Sequence, residues 1–176
     1  MRAVVIYNSQ TGFTRRYGEW IAGELACEAI SLQEAEREDL TPYDVIIFGS
    51  WINAGGVEKV KWFQKLMKRE PEKKYAAYVV GASPMGAPMV EDTLKKAIPE
   101  EYGDTCKAFY CPGGLNYGRM SFKHRLMMKI FSKMVAGKKD QSPEEKAVAE
   151  RLRHDFDIAD RKYVAPVVDY VKGLGL

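Results

Sequence analysis

Cysteine and histidine are scarce in this chain of 176 residues, which holds three Cys and two His. Cys27, Cys106 and Cys111 are odd in number and lack metal-type spacing, which argues against a disulfide framework and against a zinc site. Long apolar runs are also missing: none approaches the roughly 20 residues that a membrane-spanning helix requires. The N-terminus, MRAVVIYNSQ, passes from a short apolar stretch straight into polar turn residues, unlike a secretory leader. A cytoplasmic protein is therefore the expectation. There is no internal repeat, low-complexity tract or linker, so one domain spanning 1–176 is expected.

Cys111 is the thiol that invites a catalytic reading, because it follows AFY and precedes a glycine turn. A low-molecular-weight tyrosine phosphatase would place its thiolate there, with an arginine six residues later to clamp phosphate. Position 117 is Tyr, and Arg119 stands two residues too far. Cys111 thus reads as a buried, inert thiol.

What is present fits an α/β domain. Short apolar runs, AVVIY (3–7), EAISL (28–32), VIIFG (45–49), YAAYVVG (75–81) and CKAFYC (106–111), alternate with helical patterns. Three of them are apolar on both faces, as parallel strands covered by helices on both sides should be. Tyr17, Trp20, Ile21 and Leu25 fall at helical spacing, as do Val57, Val60, Phe63 and Met67, and Val90, Leu94 and Ile98. Residues 121–136, SFKHRLMMKIFSKMVA, predict a further helix stopped by Gly137. Ser142, Pro143 and Glu145 then form a capping box, and a last helix is expected from about Pro166. About fifty residues separate the fifth strand from that helix, an insertion by the standards of α/β connections.

Charge is uneven. The chain carries +3 net, yet residues 119–139 contribute seven Lys or Arg and no acid, which leaves −4 for the rest. Arg125, Lys129 and Lys133 give the predicted helix a basic face, and Phe122, Leu126, Met127, Ile130, Phe131 and Met134 give it a broad apolar one. Such a helix either docks its apolar side on the sheet or meets an apolar, acidic or membrane-borne partner.

The chemistry concentrates at NSQTGFTRRY (8–17), directly after the first strand. In an open α/β sheet, ligands bind beyond the C-terminal strand ends. Gly12 permits a tight turn, the following helix presents unpaired amides, and Ser9, Thr11 and Thr14 supply hydroxyls. No Walker lysine is present, so a monophosphate held by neutral donors fits better than a polyphosphate.

SQTGFT (9–14) resembles the phosphate loop of the flavodoxin family, close to [ST]-x-T-G-x-T, with all four specified positions matched. The resemblance implies a flavodoxin-like three-layer α/β sandwich. Its parallel sheet would have five strands in the order 2-1-3-4-5, with a helical insertion at about 113–163 after the fifth. It implies FMN as cofactor, with Ser9, Gln10, Thr11, Gly12, Phe13 and Thr14 around the phosphate. GSWINAGG after the third strand would bring Ser50, Trp51, Ile52, Asn53, Ala54 and Gly55 to the ring, with Trp51 packing on it. GASPMGAP after the fourth would bring Ala82, Ser83, Pro84, Met85 and Gly86 to the flavin's polar edge. Neither loop contains an acid, which by Coulomb reasoning penalises reduced flavin less and suits an enzyme.

The block 110–140 is in addition similar to the corresponding region of flavodoxin-type, menaquinone-dependent protoporphyrinogen dehydrogenases. That likeness implies a quinone- or porphyrin-like substrate, with Tyr117, Arg119, Phe122, Lys123 and Arg125 as its contacts, and peripheral membrane contact through 119–139. The third-strand loop lacks the basic and aromatic residues associated with haem-pathway members. A soluble electron carrier docking to a redox partner protein is the alternative. No metal and no nucleic acid is implied.

Overall fold

A computed structural model describes residues 1–103, 105–137 and 143–175 of the chain. Five parallel strands build its centre: β1 (Ala3–Tyr7), β2 (Glu28–Ser31), β3 (Val45–Asn53), β5 (Lys74–Gly81) and β6 (Cys106–Pro112). They lie in the order β2-β1-β3-β5-β6, which is the expected order 2-1-3-4-5 counted over the long strands. A sixth, unexpected strand, β4 (Gly56–Val57), folds back antiparallel on the end of β3.

Alternation along the strands feeds two cores. Ala3, Val5, Val45, Ile47, Ala76, Tyr78 and Val80 face α1 (Phe13–Leu25) and α7 (Ala165–Gly173), meeting Tyr17, Ile21, Leu25, Val167 and Val171. Val4, Ile6, Ile46, Phe48, Tyr75 and Ala77 face the other side, against the short α2 (Leu32–Ala35) and α3 (Val60–Arg69). There the Phe48 and Phe63 rings stack at 4.8 Å. The helix α4 (Pro88–Ala97) joins β5 to β6. Val57, expected in the second helical stripe, lies in β4, and Ile98 of the third caps α4 from outside it.

One packing detail positions the ligand end of the sheet. A Cβ at Gly49 would stand 1.8 Å from Cζ of Tyr78, and one at Gly18 2.6 Å from its hydroxyl. The Tyr78 ring therefore passes between β3 and α1 where only glycines leave room, and its hydroxyl donates to the Thr14 carbonyl at 3.1 Å.

The insertion begins at β7 (Gly114–Leu115), runs through α5 (Phe122–Ala136) and α6 (Pro143–Arg151), and returns at β8 (Phe156–Asp157). β7 and β8 pair antiparallel, Gly114 with Asp157 and Leu115 with Phe156. The buried Tyr17 hydroxyl donates to Pro112 O at 2.6 Å and accepts from Asp160 N at 3.1 Å, which locks both ends of the insertion to α1. Ser121 caps α5, accepting from His124 N, and Gly137 ends it as expected. Ser142 and the Glu145 side chain of the expected capping box, and Lys138 and Lys139 of the basic block, lie outside the described residues.

Docking of α5 by its apolar side is not what the structure shows. Phe122 is 81% exposed, Met134 61% and Ile130 59%, while Leu126, Met127 and Phe131 are also exposed. His124, Arg125, Met128 and Ser132 lie on the more buried side. Among the described residues no helix is long and apolar enough to cross a membrane.

Candidate functional site at the carboxyl edge of the sheet

Beyond Tyr7 the chain stays tied to β3: Asn8 N donates to Gly49 O at 2.8 Å, and Asn8 Nδ2 to Ser50 Oγ at 3.0 Å. Ser50 is thereby buried and engaged inside the fold. The next turn closes through Gly12 N donating to Ser9 Oγ at 3.2 Å, with Gly12 at φ +100°, a left-handed conformation that glycine adopts without penalty. The amides of Phe13 and Thr14 then have no protein acceptor among the described residues, as the first turn of a helix dictates, and those of Gln10 and Thr11 in the turn before it have none either. Thr14 itself is buried, and its carbonyl is held by Tyr78.

Arg15 and Arg16, the cations nearest in sequence, serve elsewhere. Arg15 pairs with Glu19 at 2.7 Å, and Arg16 makes a two-pronged pair with Asp157 at 2.8 and 2.7 Å. The cation at the loop comes instead from the insertion. A Cβ on Gly12 would stand 2.9 Å from Nη1 of Arg119. Among the described residues the Arg119 guanidinium has neither a carboxylate nor a hydrogen-bond partner.

The second wall differs from the expected loop. Ser50, Trp51, Ile52 and Asn53 continue β3, and Ala54 and Gly55 form the turn into β4 with φ +48° and +79°. The reason is the ladder to β4, closed by Glu58 N donating to Trp51 O at 3.0 Å, which turns a glycine-rich segment into a hairpin. The hairpin carries an acid that the expected loop did not include, for Asn53 Nδ2 donates to Glu58 Oε1 at 2.6 Å.

Between the two walls stands His124, a residue that sequence reasoning missed. Its Nδ1 lies 2.9 Å from Gln10 Nε2 and 2.7 Å from Ser121 Oγ. Its Nε2 lies 3.5 Å from Asn53 Nδ2, and its ring meets Trp51 edge-on at 5.0 Å between centroids. The first turn of α5 thus touches both segments expected to hold the cofactor. The only signal in the sequence is its position, three residues after a capping serine.

The third segment is more open. Tyr110 donates to Ser83 O at 2.7 Å, and a Cβ at Gly81 would meet the Tyr110 hydroxyl at 2.7 Å and Ile52 Cδ1 at 3.0 Å. Ala82 is half-buried, and Pro84, Met85 and Gly86 are exposed. No hydrogen bond among the described residues joins them to the first two segments.

The five residues assigned to substrate or partner separate. Arg119 reaches the turn at Gly12, Phe122 and Lys123 face solvent, and Tyr117 and Arg125 line a different groove within the insertion. Cys111 is fully buried, and burial pushes its thiol up to about 12, so it is inert as expected. Among the described residues there is no cluster of Cys, His, Asp or Glu able to hold a metal ion.

Taken as a donor set, free amides at a helix start, hydroxyls of Ser9 and Thr11 and a free guanidinium fit a phosphate monoester. The half-buried Trp51 indole suits a flat ring beside it. Residues 4–142 match the family model described as flavodoxin domain. Among curated proteins, protoporphyrinogen IX dehydrogenase (quinone) of Escherichia coli strain K12 is 22% identical over 157 residues, covering 82% of this chain and 86% of the relative. Among solved structures, a flavodoxin from the domain Archaea aligns with TM-score 0.44 at 16% identity, over 88% of this chain and 100% of its own. Oxidised flavodoxin 1 from Bacillus cereus aligns with TM-score 0.42 at 16% identity, over 79% and 100%. The assignment rests on the family model together with the strand order and the loop: the chain belongs to the flavodoxin domain family, and its cofactor is FMN.

Proposed function

We propose that the chain is an FMN-dependent oxidoreductase that exchanges electrons with an apolar, quinone- or porphyrinogen-like substrate at a membrane surface. The observation that carries this reading is the placement of the insertion. It puts Arg119 over Gly12 and His124 between Gln10, Trp51 and Asn53, so that residues outside the common sheet complete the cofactor crevice. A carrier needs no such wall. Bound FMN supplies one- or two-electron transfer. The chain supplies the rest: loop amides and Arg119 hold the phosphate, Trp51 flanks the ring, and His124 and Asn53 offer polar groups beside it. The exposed apolar stripe of α5, with Lys123 alongside, suits the surface of an anionic bilayer where such substrates dissolve. The relative's name, a dehydrogenase of protoporphyrinogen IX with quinone, agrees in substrate class.

The test is turnover by FMN-loaded protein given protoporphyrinogen IX and a menaquinone analogue, read as porphyrin fluorescence. Catalytic appearance of porphyrin, dependent on quinone, is expected. Absence of turnover, with electrons relayed between a reductase and a haem protein instead, establishes the carrier.

A further inference from the structure

The insertion also contains a groove that the flavin chemistry leaves unused. Between α5, the turn after β7 and the turn before β8 lies a cavity of about 580 Å³, lined by Arg125, Lys129, Lys133, Arg153, His154 and Asp155 among others. Arg125, Lys129 and Lys133 succeed one another at four-residue intervals, so they stack along one side of α5. None of the three has a carboxylate partner among the described residues. Nε of Arg125 is moreover buried with no hydrogen-bond partner, a state that folded proteins rarely leave a guanidinium in.

The opposite wall is already braced. Arg153 and His154 both reach Glu150, at 3.2 and 3.3 Å. Asp155 is the acid on the lining, and its Oδ1 accepts from Tyr117 N at 2.7 Å. The Tyr117 hydroxyl in turn donates to Leu152 O. The groove is thus held open by contacts that do not consume the α5 cations. With Arg153 paired to Glu150, the three unpaired cations of α5 against the Asp155 carboxylate leave it positive.

We propose that this groove binds a small polyanion, with phosphate or carboxylate oxygens meeting Arg125 at one end and Lys133 at the other. Eight residues of helix separate these two, on the order of 12 Å, so a ligand with at least two oxyanionic groups spans them better than a single ion. The site is distinct from the one at Gly12, which has its own cation in Arg119, and the inference stands whether or not the oxidoreductase reading holds.

The experiment is calorimetric titration of FMN-loaded protein with pyrophosphate and, separately, with citrate. Loading beforehand fills the phosphate loop. One-to-one binding is expected, weakened about tenfold by Lys129→Gln and by Lys133→Gln, since each removes one charge-assisted contact. The flavin absorbance of both variants should be unchanged, which also reports that they fold. Lys146→Gln, on α6 outside the groove, should leave affinity as it was. Preference for pyrophosphate identifies a phosphate ester as the ligand class, and preference for citrate a polycarboxylate. No heat with either anion at millimolar concentration overturns the site, and so does equal weakening by Lys146→Gln, which would reveal diffuse surface charge.

Discussion

Tyr78 is fully buried, yet its hydroxyl is what the ligand end of the sheet hangs on. Removing the oxygen in Tyr78→Phe should cost about 1 kcal/mol in urea unfolding, the net worth of one internal hydrogen bond, and should change FMN affinity little. At Gly12 two penalties coincide. Alanine there would have to hold a left-handed backbone, at about 1–2 kcal/mol, and its methyl would press on Arg119. Gly12→Ala is expected to raise the FMN Kd more than tenfold by fluorescence titration, while a fold with unchanged Kd would remove the loop from the cofactor site. His124→Ala should speed FMN release severalfold, since Gln10 and Asn53 lose their shared support. Burial raises Cys106 and Cys111 alike to about 12 and half-buried Cys27 to about 11. All three should resist alkylation at neutral pH in native protein and react in concentrated guanidinium.

At the scale of elements, α1 and β8 are joined by Arg16 and Asp157. The hydrogen bonds from Arg16, ahead of other causes, hold the Asp157 carboxyl below the usual aspartate range. A depressed carboxylate contributes stability above its unfolded pKa and loses it as pH falls through the folded one. Asp157→Asn should therefore lower the unfolding free energy slightly at neutral pH, by less than about 1 kcal/mol because both partners are half exposed, and the difference should vanish in acid. The helix α5 makes a different demand. Its outward Leu126, Ile130 and Met134 are expected to insert into anionic vesicles, and Ile130→Glu should abolish co-flotation without loss of FMN. Flotation that survives the change would leave the stripe without a bilayer partner. Sequence periodicity showed that α5 was two-sided but not which side faced out. That is settled by the inward His124, whose contacts with Gln10 and Asn53 are tertiary.

For the molecule as a whole, the sheet was readable because its central strands are buried on both faces, and a short unbroken apolar run between turn residues seldom forms anything else. The tight turn at 9–14 was readable for a related reason: its geometry is local, six consecutive residues between a strand and a helix. What escaped was non-local. Asn53, Ala54, Gly55 and Gly56 look like a loop until β4 pairs back on β3. Arg119 and His124 reach the crevice from more than a hundred residues away, and no spacing rule connects them to Gly12 or Gln10. Arg16, adjacent to the loop, is spent on Asp157.

The paired rungs of β7 and β8 have an architectural consequence. Because the excursion leaves and re-enters across a single neck, its length and content can change without moving any strand of the sheet. A scaffold so arranged can exchange that appendage as a cassette, acquiring a new clientele while its ancestral chemistry stays where it was.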